Sequence, residues 1–324
     1  MHILAPMSVD SNRTIKNIFQ EFLQSKGGKF LGQYIHNKDQ LPLFKPQSDI
    51  SLNGDIPATS EGHPSLLLYN LGNLPTKADD ILKMALNNRM LVLYLLGTSG
   101  CGKTRTCFEI LCRSWGIYLV GIPSKKGGGS RDIENLTTYL SQKMEKDNFM
   151  QNRNIAENAT RCVLLARLLI LNHCMKESPD FTKQQWFFLQ VAQENLSKKY
   201  NFYGDIFDEL STLLRYCSAH SVIESIFYTY RDLNKRPFPI ILDEVQVLQH
   251  KLMDHFLDHE YEPCSLLFPV IRALVNLNGV SNHCVLPCGT GLGILKMKEI
   301  LQSGIAKIQD TFPIFTEFGG WEKN

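Results

Sequence analysis

The sequence predicts an α/β fold: a parallel sheet flanked by helices, with a large helical insertion ahead of one of its later strands. Three observations lead there. Unbroken apolar runs stand at Met90–Leu96 (MLVLYLL), Phe238–Leu242 (FPIIL) and Cys284–Pro287 (CVLP); helical periodicity fills the chain between them; and the connections are long. A strand buried on both faces reads as a continuous apolar run, and parallel pairing requires a long crossover, usually a helix.

Composition bounds the rest. The chain has 324 residues, a formal charge of +2 and 44% hydrophobic residues, values ordinary for one large domain or two modest ones. A near-neutral balance does not indicate a nucleic-acid surface, so nucleic acid stays an open partner that charge alone does not support. The nine cysteines form no CxxC pair, which points to a reducing compartment, cytoplasm or nucleus. The N-terminus lacks the basic and apolar regions of a secretory signal. The longest apolar stretch, Cys162–Met175, is too short to span a bilayer and contains Arg167, so it is expected as a buried helix and no membrane partner is expected.

Taken in order, residues 1–62 mix polar residues with Gly, Pro and Ser and are expected to form an irregular lead-in, apart from one amphipathic helix in NRTIKNIFQEFLQS. Residues 63–324 are expected to form the main domain. KADDILKMALNN predicts a helix, MLVLYLL a strand, Lys103–Ser114 a helix and WGIYLVGI a second strand. PSKKGGGSRD predicts an exposed loop, either a solvated connector or a lid. Residues 131–232 are expected to be almost wholly helical, with segments at 132–146, 155–177, 182–198, 205–217 and 219–231. Strands return at FPIIL and CVLP, and FPIFTE near the end looks like another.

Between the first strand and the helix that follows it, Gly97, Thr98, Ser99, Gly100, Cys101, Gly102, Lys103 and Thr104 fit GxxxxGK[ST] at every specified position. Glycines allow positive φ and bring backbone N–H groups against phosphate oxygens, while the helix N-terminus points its dipole at the same anion. Lys103 would meet the terminal phosphates, Thr104 would ligate Mg²⁺, and Arg105 is counted with the nucleotide-binding residues. In PIILDEVQVL, Asp243 would hold the metal and Glu244 would orient and deprotonate the attacking water. Gln246 either senses the terminal phosphate or simply starts a helix. Thr290, after the CVLP strand, either bonds the γ phosphate or the water, or belongs to an ordinary glycine turn.

Other constellations are given little weight. His255 and His259 are spaced for one helix face, but no HExxH accompanies them; Cys284 and Cys288 fit a buried strand; Trp186, Phe187 and Phe188 have no basic residues interleaved and are expected in the core. GTPase base recognition is not found, since NKD at Asn37–Asp39 lies far upstream of the glycine loop. ATP is therefore favoured over GTP.

HPSLLLYNLG, GTSGCGKTRTCFEILCRSWGIYLV, PFPIILDEVQVL and CGTGLGI together resemble the P-loop NTPase module of Crinkler-type effector proteins, which looks like a branch of the AAA+ and STAND-like ATPases. The resemblance covers about residues 63–321. It implies hydrolysis of ATP or GTP driving a conformational switch, with Lys103, Thr104, Asp243 and Glu244 matching the family's nucleotide site, and delivery into a host cell. Two departures stand out: no ubiquitin-like header is found in residues 1–62, and the chain is expected to lack a complete C-terminal lid.

The leading expectation is thus a Mg²⁺-dependent nucleoside triphosphatase, with a homo-oligomer or a protein as possible partner. Arg236 and Arg272 are candidates for a charge-neutralising finger in an oligomer. DExQ at Asp243, Glu244 and Gln246 also suits a superfamily 1 helicase-like DNA- or RNA-dependent ATPase, and a nucleotide-binding scaffold with little hydrolysis is a third alternative.

Overall fold

A computed structural model describes residues 14–37, 57, 63, 65–73, 77–87, 92–122, 130–197, 202–217, 221–223, 225, 226, 229, 238–258, 261–277, 283–290 and 313–318. In chain order the elements are α1 (Ile15–Gln24), α2 (Lys26–Asn37), α3 (Ala78–Asn87), β1 (Tyr94–Gly97), α4 (Lys103–Arg113) and β2 (Ile117–Val120). The helical insertion supplies α5 (Asp132–Lys143), α6 (Phe149–Glu177), α7 (Lys183–Val191), α8 (Gln193–Ser197) and α9 (Ile206–Leu214). There follow β3 (Phe238–Asp243), β4 (Phe256–Leu257), β5 (Pro263–Cys264), α10 (Leu267–Val275), β6 (His283–Thr290) and β7 (Ile314–Phe315).

The main sheet has the order β2-β3-β6-β1-β7 and every neighbouring pair is parallel. Its middle strands are the apolar runs: every residue of β3 is buried, and in β6 all but Thr290. Because β6 lies between β1 and β3, the glycine loop after β1 and the acids after β3 open on the same carboxyl edge, with the end of β6 between them. This is the edge at which open α/β sheets bind ligands. Helix α4 packs on β1, β3 and β6, and α10 packs on β6 and α6.

The insertion is helical as expected, with shifted boundaries. Helix α6 starts at Phe149, earlier than its apolar stretch suggests, and the 182–198 segment divides into α7 and α8. Thr182 and Gln185 form a capping box at the start of α7. Of the expected helix at 219–231, residues 221–223, 225, 226 and 229 are helical and the others lie outside the described residues.

The insertion also closes one side of the sheet. The Tyr118 N–H on β2 donates to Gln190 Oε1 on α7 at 2.9 Å, while Gln190 Nε2 and Trp186 Nε1 donate to the Gly116 carbonyl at 3.3 and 2.6 Å. Arg167 on α6, fully buried, donates to the same Gln190 oxygen at 3.0 Å and pairs with buried Asp132 on α5 at 2.7 Å.

Two expectations are corrected. α1 is the amphipathic helix expected in NRTIKNIFQEFLQS, but residues 26–37, expected to be irregular, form a second helix packed on it. In α1, Ile18 and Phe22 face inward; in α2, Phe30, Leu31, Tyr34 and Ile35 are buried in spite of Gly27, Gly28 and Gly32. Phe30 stacks on Phe202 at 5.0 Å and the Tyr34 hydroxyl donates to the Gln185 carbonyl at 2.8 Å, so tertiary packing outweighs the low helix propensity of glycine. The remainder of the lead-in, apart from residue 57, lies outside the described residues. The histidine segment is not a helix either: Val245–His250 is a 3₁₀ turn and β4 pairs antiparallel with β5, which removes the helix face that would have joined His255 to His259. His259 is outside the described residues, among which no metal-binding group of His, Cys, Asp and Glu occurs.

Candidate nucleotide site

β1 ends at Gly97 and the chain turns through residues 98–102 into α4. Gly100 and Gly102 have φ of 81° and 92°, a left-handed conformation that glycine adopts without strain, and Gly102 is the N-cap of α4. Thr98, Ser99, Gly100 and Gly102 are exposed, leaving the outer face of the turn accessible, whereas Cys101 is half-buried against Gly97.

Lys103, the first residue of α4, bends back across the turn. Its Nζ donates to the carbonyls of Gly97 at 2.8 Å and Thr98 at 2.7 Å and lies 3.8 Å from Cys101 Sγ. All three partners are neutral. Among the described residues this buried ammonium at a helix N-terminus forms no ion pair and is held by carbonyls and a thiol, an arrangement that suits an anion.

Thr104 points toward the acids after β3. Its hydroxyl donates to Asp243 Oδ2 at 3.0 Å across a sequence separation of 139 residues. The register Val120↔Asp243 puts Asp243 at the carboxyl end of β3, where its side chain is almost wholly buried. The Tyr118 hydroxyl donates to the same Oδ2 at 2.9 Å, and the Glu244 N–H donates to Oδ1 at 2.9 Å. Burial together with the neighbouring Asp243 carboxylate pushes the Tyr118 phenol well above its ordinary range, so it remains a proton donor.

Glu244 itself is a half-buried non-glycine residue with φ 55° and ψ 40°. Such left-handed backbone at a larger residue costs about 1–3 kcal/mol and tends to accompany function. Gln246 stands in the first turn of the 3₁₀ helix Val245–His250, as one of its two expected readings has it, and its Nε2 donates to Glu244 Oε2. Thr290, at the end of β6, is in register with Gly97 of β1, which sets it beside the glycine turn.

Arg105 is a correction. Its guanidinium turns away from the glycine turn: NH1 donates to the carbonyls of Leu66, Leu67 and Tyr69 at 3.3, 3.0 and 2.6 Å, and NH2 pairs with Glu109 at 2.7 Å. Glu109, fully buried, also accepts the Gly72 N–H at 2.9 Å. Arg105 therefore fixes the 66–72 segment to α4. Arg272 is likewise engaged, pairing with Glu157 on α6 at 3.0 Å, and Arg236 is outside the described residues.

Sequence reasoning missed Tyr118 and Glu109. An apolar strand such as WGIYLVGI gives no local sign that one of its aromatic hydroxyls reaches an acid on another strand. Cys107 and Cys288 are free thiols that hydrogen-bond each other, and Cys288 also hydrogen-bonds Asp243; both are buried, as the apolar setting of Cys288 suggests, and burial pushes the Cys284 thiol up to about 12. Trp186 and Phe187 are core residues and Phe188 is packed against the core. Of the exposed-loop candidate at 123–132, residues 123–129 lie outside the described residues, whereas Ser130 and Asp132 are buried and Asp132 opens α5.

No family model matches this sequence, and no curated protein matches it. Among the described residues no helix is long and apolar enough to cross a membrane.

Proposed function

We propose that the chain binds a nucleoside triphosphate, ATP in preference to GTP, together with Mg²⁺, and hydrolyses it as a P-loop NTPase of AAA+ or STAND type, as its resemblance to Crinkler-type modules implies. The observation that carries this is the hydrogen bond from Thr104 to Asp243: a hydroxyl and a carboxylate from distant segments meet beside the glycine turn. Oxygen donors of this kind fit Mg²⁺, a hard cation. Thr104 would ligate the ion and Asp243 would hold it through water; when bound, Mg²⁺ neutralises charge on the phosphates.

In this reading the glycine turn and the first turn of α4 supply backbone N–H donors to the phosphates, and Lys103 exchanges its two carbonyls for phosphate oxygens. Glu244 takes the proton of the attacking water, and Thr290, next to Gly97, orients that water or the γ phosphate. The insertion, tied to β2 through Gln190, is the part whose arrangement nucleotide state would set.

A nucleotide-binding scaffold with little hydrolysis is the second reading. It is favoured by Gln246 occupying the Glu244 carboxylate and by Glu157 occupying Arg272. Titration calorimetry with ATP and GTP, with and without Mg²⁺, alongside phosphate release, tests both. Absence of binding would end the proposal; binding without turnover, equal in wild type and Glu244→Gln, would leave the scaffold.

A further inference from the structure

We propose that Tyr118 is a positioning residue for the nucleotide site: its hydroxyl holds the Asp243 carboxylate toward Thr104, an inference that rests on the nucleotide-binding reading above. Tyr118 and Val120 lie on one face of β2, and the register Tyr118↔Ile241 and Val120↔Asp243 puts Tyr118 and Asp243 on the same face of the sheet, one step apart diagonally. An aromatic side chain can cover that diagonal, and its hydroxyl reaches Asp243 Oδ2 at 2.9 Å.

The phenol has little freedom to leave. Its ring packs edge-on against Phe108 of α4, with centroids 5.4 Å apart at 76°, and its backbone N–H is fixed by Gln190 at 2.9 Å. The residue is 2% exposed, as is Asp243. Among the described residues no Lys or Arg forms an ion pair with Asp243. Its charge rests on neutral donors: two hydroxyls on Oδ2, a backbone N–H on Oδ1 and the Cys288 thiol. A buried carboxylate without hydrogen bonds is strongly disfavoured, and each donor restricts its rotation. Deleting the phenol oxygen would remove one of the two hydroxyls that fix the direction of Oδ2.

The test is Tyr118→Phe, which keeps the ring and removes one oxygen, compared with Phe187→Leu, which loosens the aromatic cluster around Phe108 without touching Tyr118. Calorimetry gives the dissociation constant of ATP with and without Mg²⁺, and their ratio measures the contribution of the metal. In Tyr118→Phe the ratio should fall about tenfold, the loss typical of removing a hydrogen-bond partner of a metal-site group, while metal-free affinity stays near wild type. Phe187→Leu should lower the melting temperature and leave the ratio alone. An unchanged or increased ratio in Tyr118→Phe, or an equal fall in Phe187→Leu, overturns the proposal. If wild type binds no ATP under either condition, the nucleotide reading itself fails, and the positioning role fails with it.

Discussion

Arg105 and Glu109, one turn apart on α4, form a 2.7 Å ion pair that faces the 66–72 segment rather than the glycine turn. The side chains are 14% and 0% exposed, so the pair is shielded from solvent. Arg105→Met keeps the apolar stem but removes the donors to three carbonyls and to a buried carboxylate. Unfolding in urea should show a loss of about 2–3 kcal/mol, with ATP affinity close to wild type. A collapse of ATP affinity with intact stability would return Arg105 to the phosphate side.

Lys103→Ala removes the only charge in the bend while disturbing bonds that stay within the bend itself. ATP affinity should fall by about 10- to 100-fold, matching a charge-assisted contact of about 1.5–3 kcal/mol, and the melting temperature should barely move. Calorimetry checks the first and differential scanning the second; unaltered affinity would sink the phosphate role.

Glu244→Gln keeps the side-chain shape and loses the base. ATP binding should persist while phosphate release slows by about 10²- to 10⁴-fold, the usual contribution of a positioned general base. A rate equal to a measurable wild-type rate would show that another group takes the proton.

Arg167→Ala leaves Asp132 buried without its cation. Breaking a buried pair from one side costs about 3–5 kcal/mol, so the urea midpoint should drop sharply, and Arg167→Lys, which keeps the charge, should lose less. Equal midpoints for all three proteins would mean that the pair contributes nothing.

His173 predicts a pH effect. Burial lowers its pKa from the ordinary 6.5, partly opposed by Glu177 3.9 Å away. Below that ordinary value the unfolded chain takes up a proton that the folded chain resists, so the contribution of neutral His173 is complete above it and lost as pH falls through the lowered folded value. Wild type should therefore lose more melting temperature than His173→Gln on acidification from pH 7 to 5; parallel profiles would exclude His173 as the source.

The sheet and the glycine turn were legible because each leaves a local mark: an unbroken apolar run, a glycine spacing, two acids at a strand end. Arg105 was misread because it follows Thr104 in sequence, but each helical residue advances about 100° and turns its guanidinium toward residues 66–69 instead. Tyr118 was invisible because its link to Asp243 spans 125 residues and depends on strand register. The α2 glycines hid a helix that only the aromatic surfaces around it stabilise.

Gln190 and Trp186 together supply the bonds that a further strand would have offered to Gly116, just before β2, and to Tyr118 on β2, an outermost strand among the described residues. A shortened chain, cut to the sheet and its flanking helices by deleting residues 131–232, would expose that row of donors and acceptors to other copies of itself. Unprotected edges pair with one another, so such a truncation should aggregate rather than fold as a smaller domain.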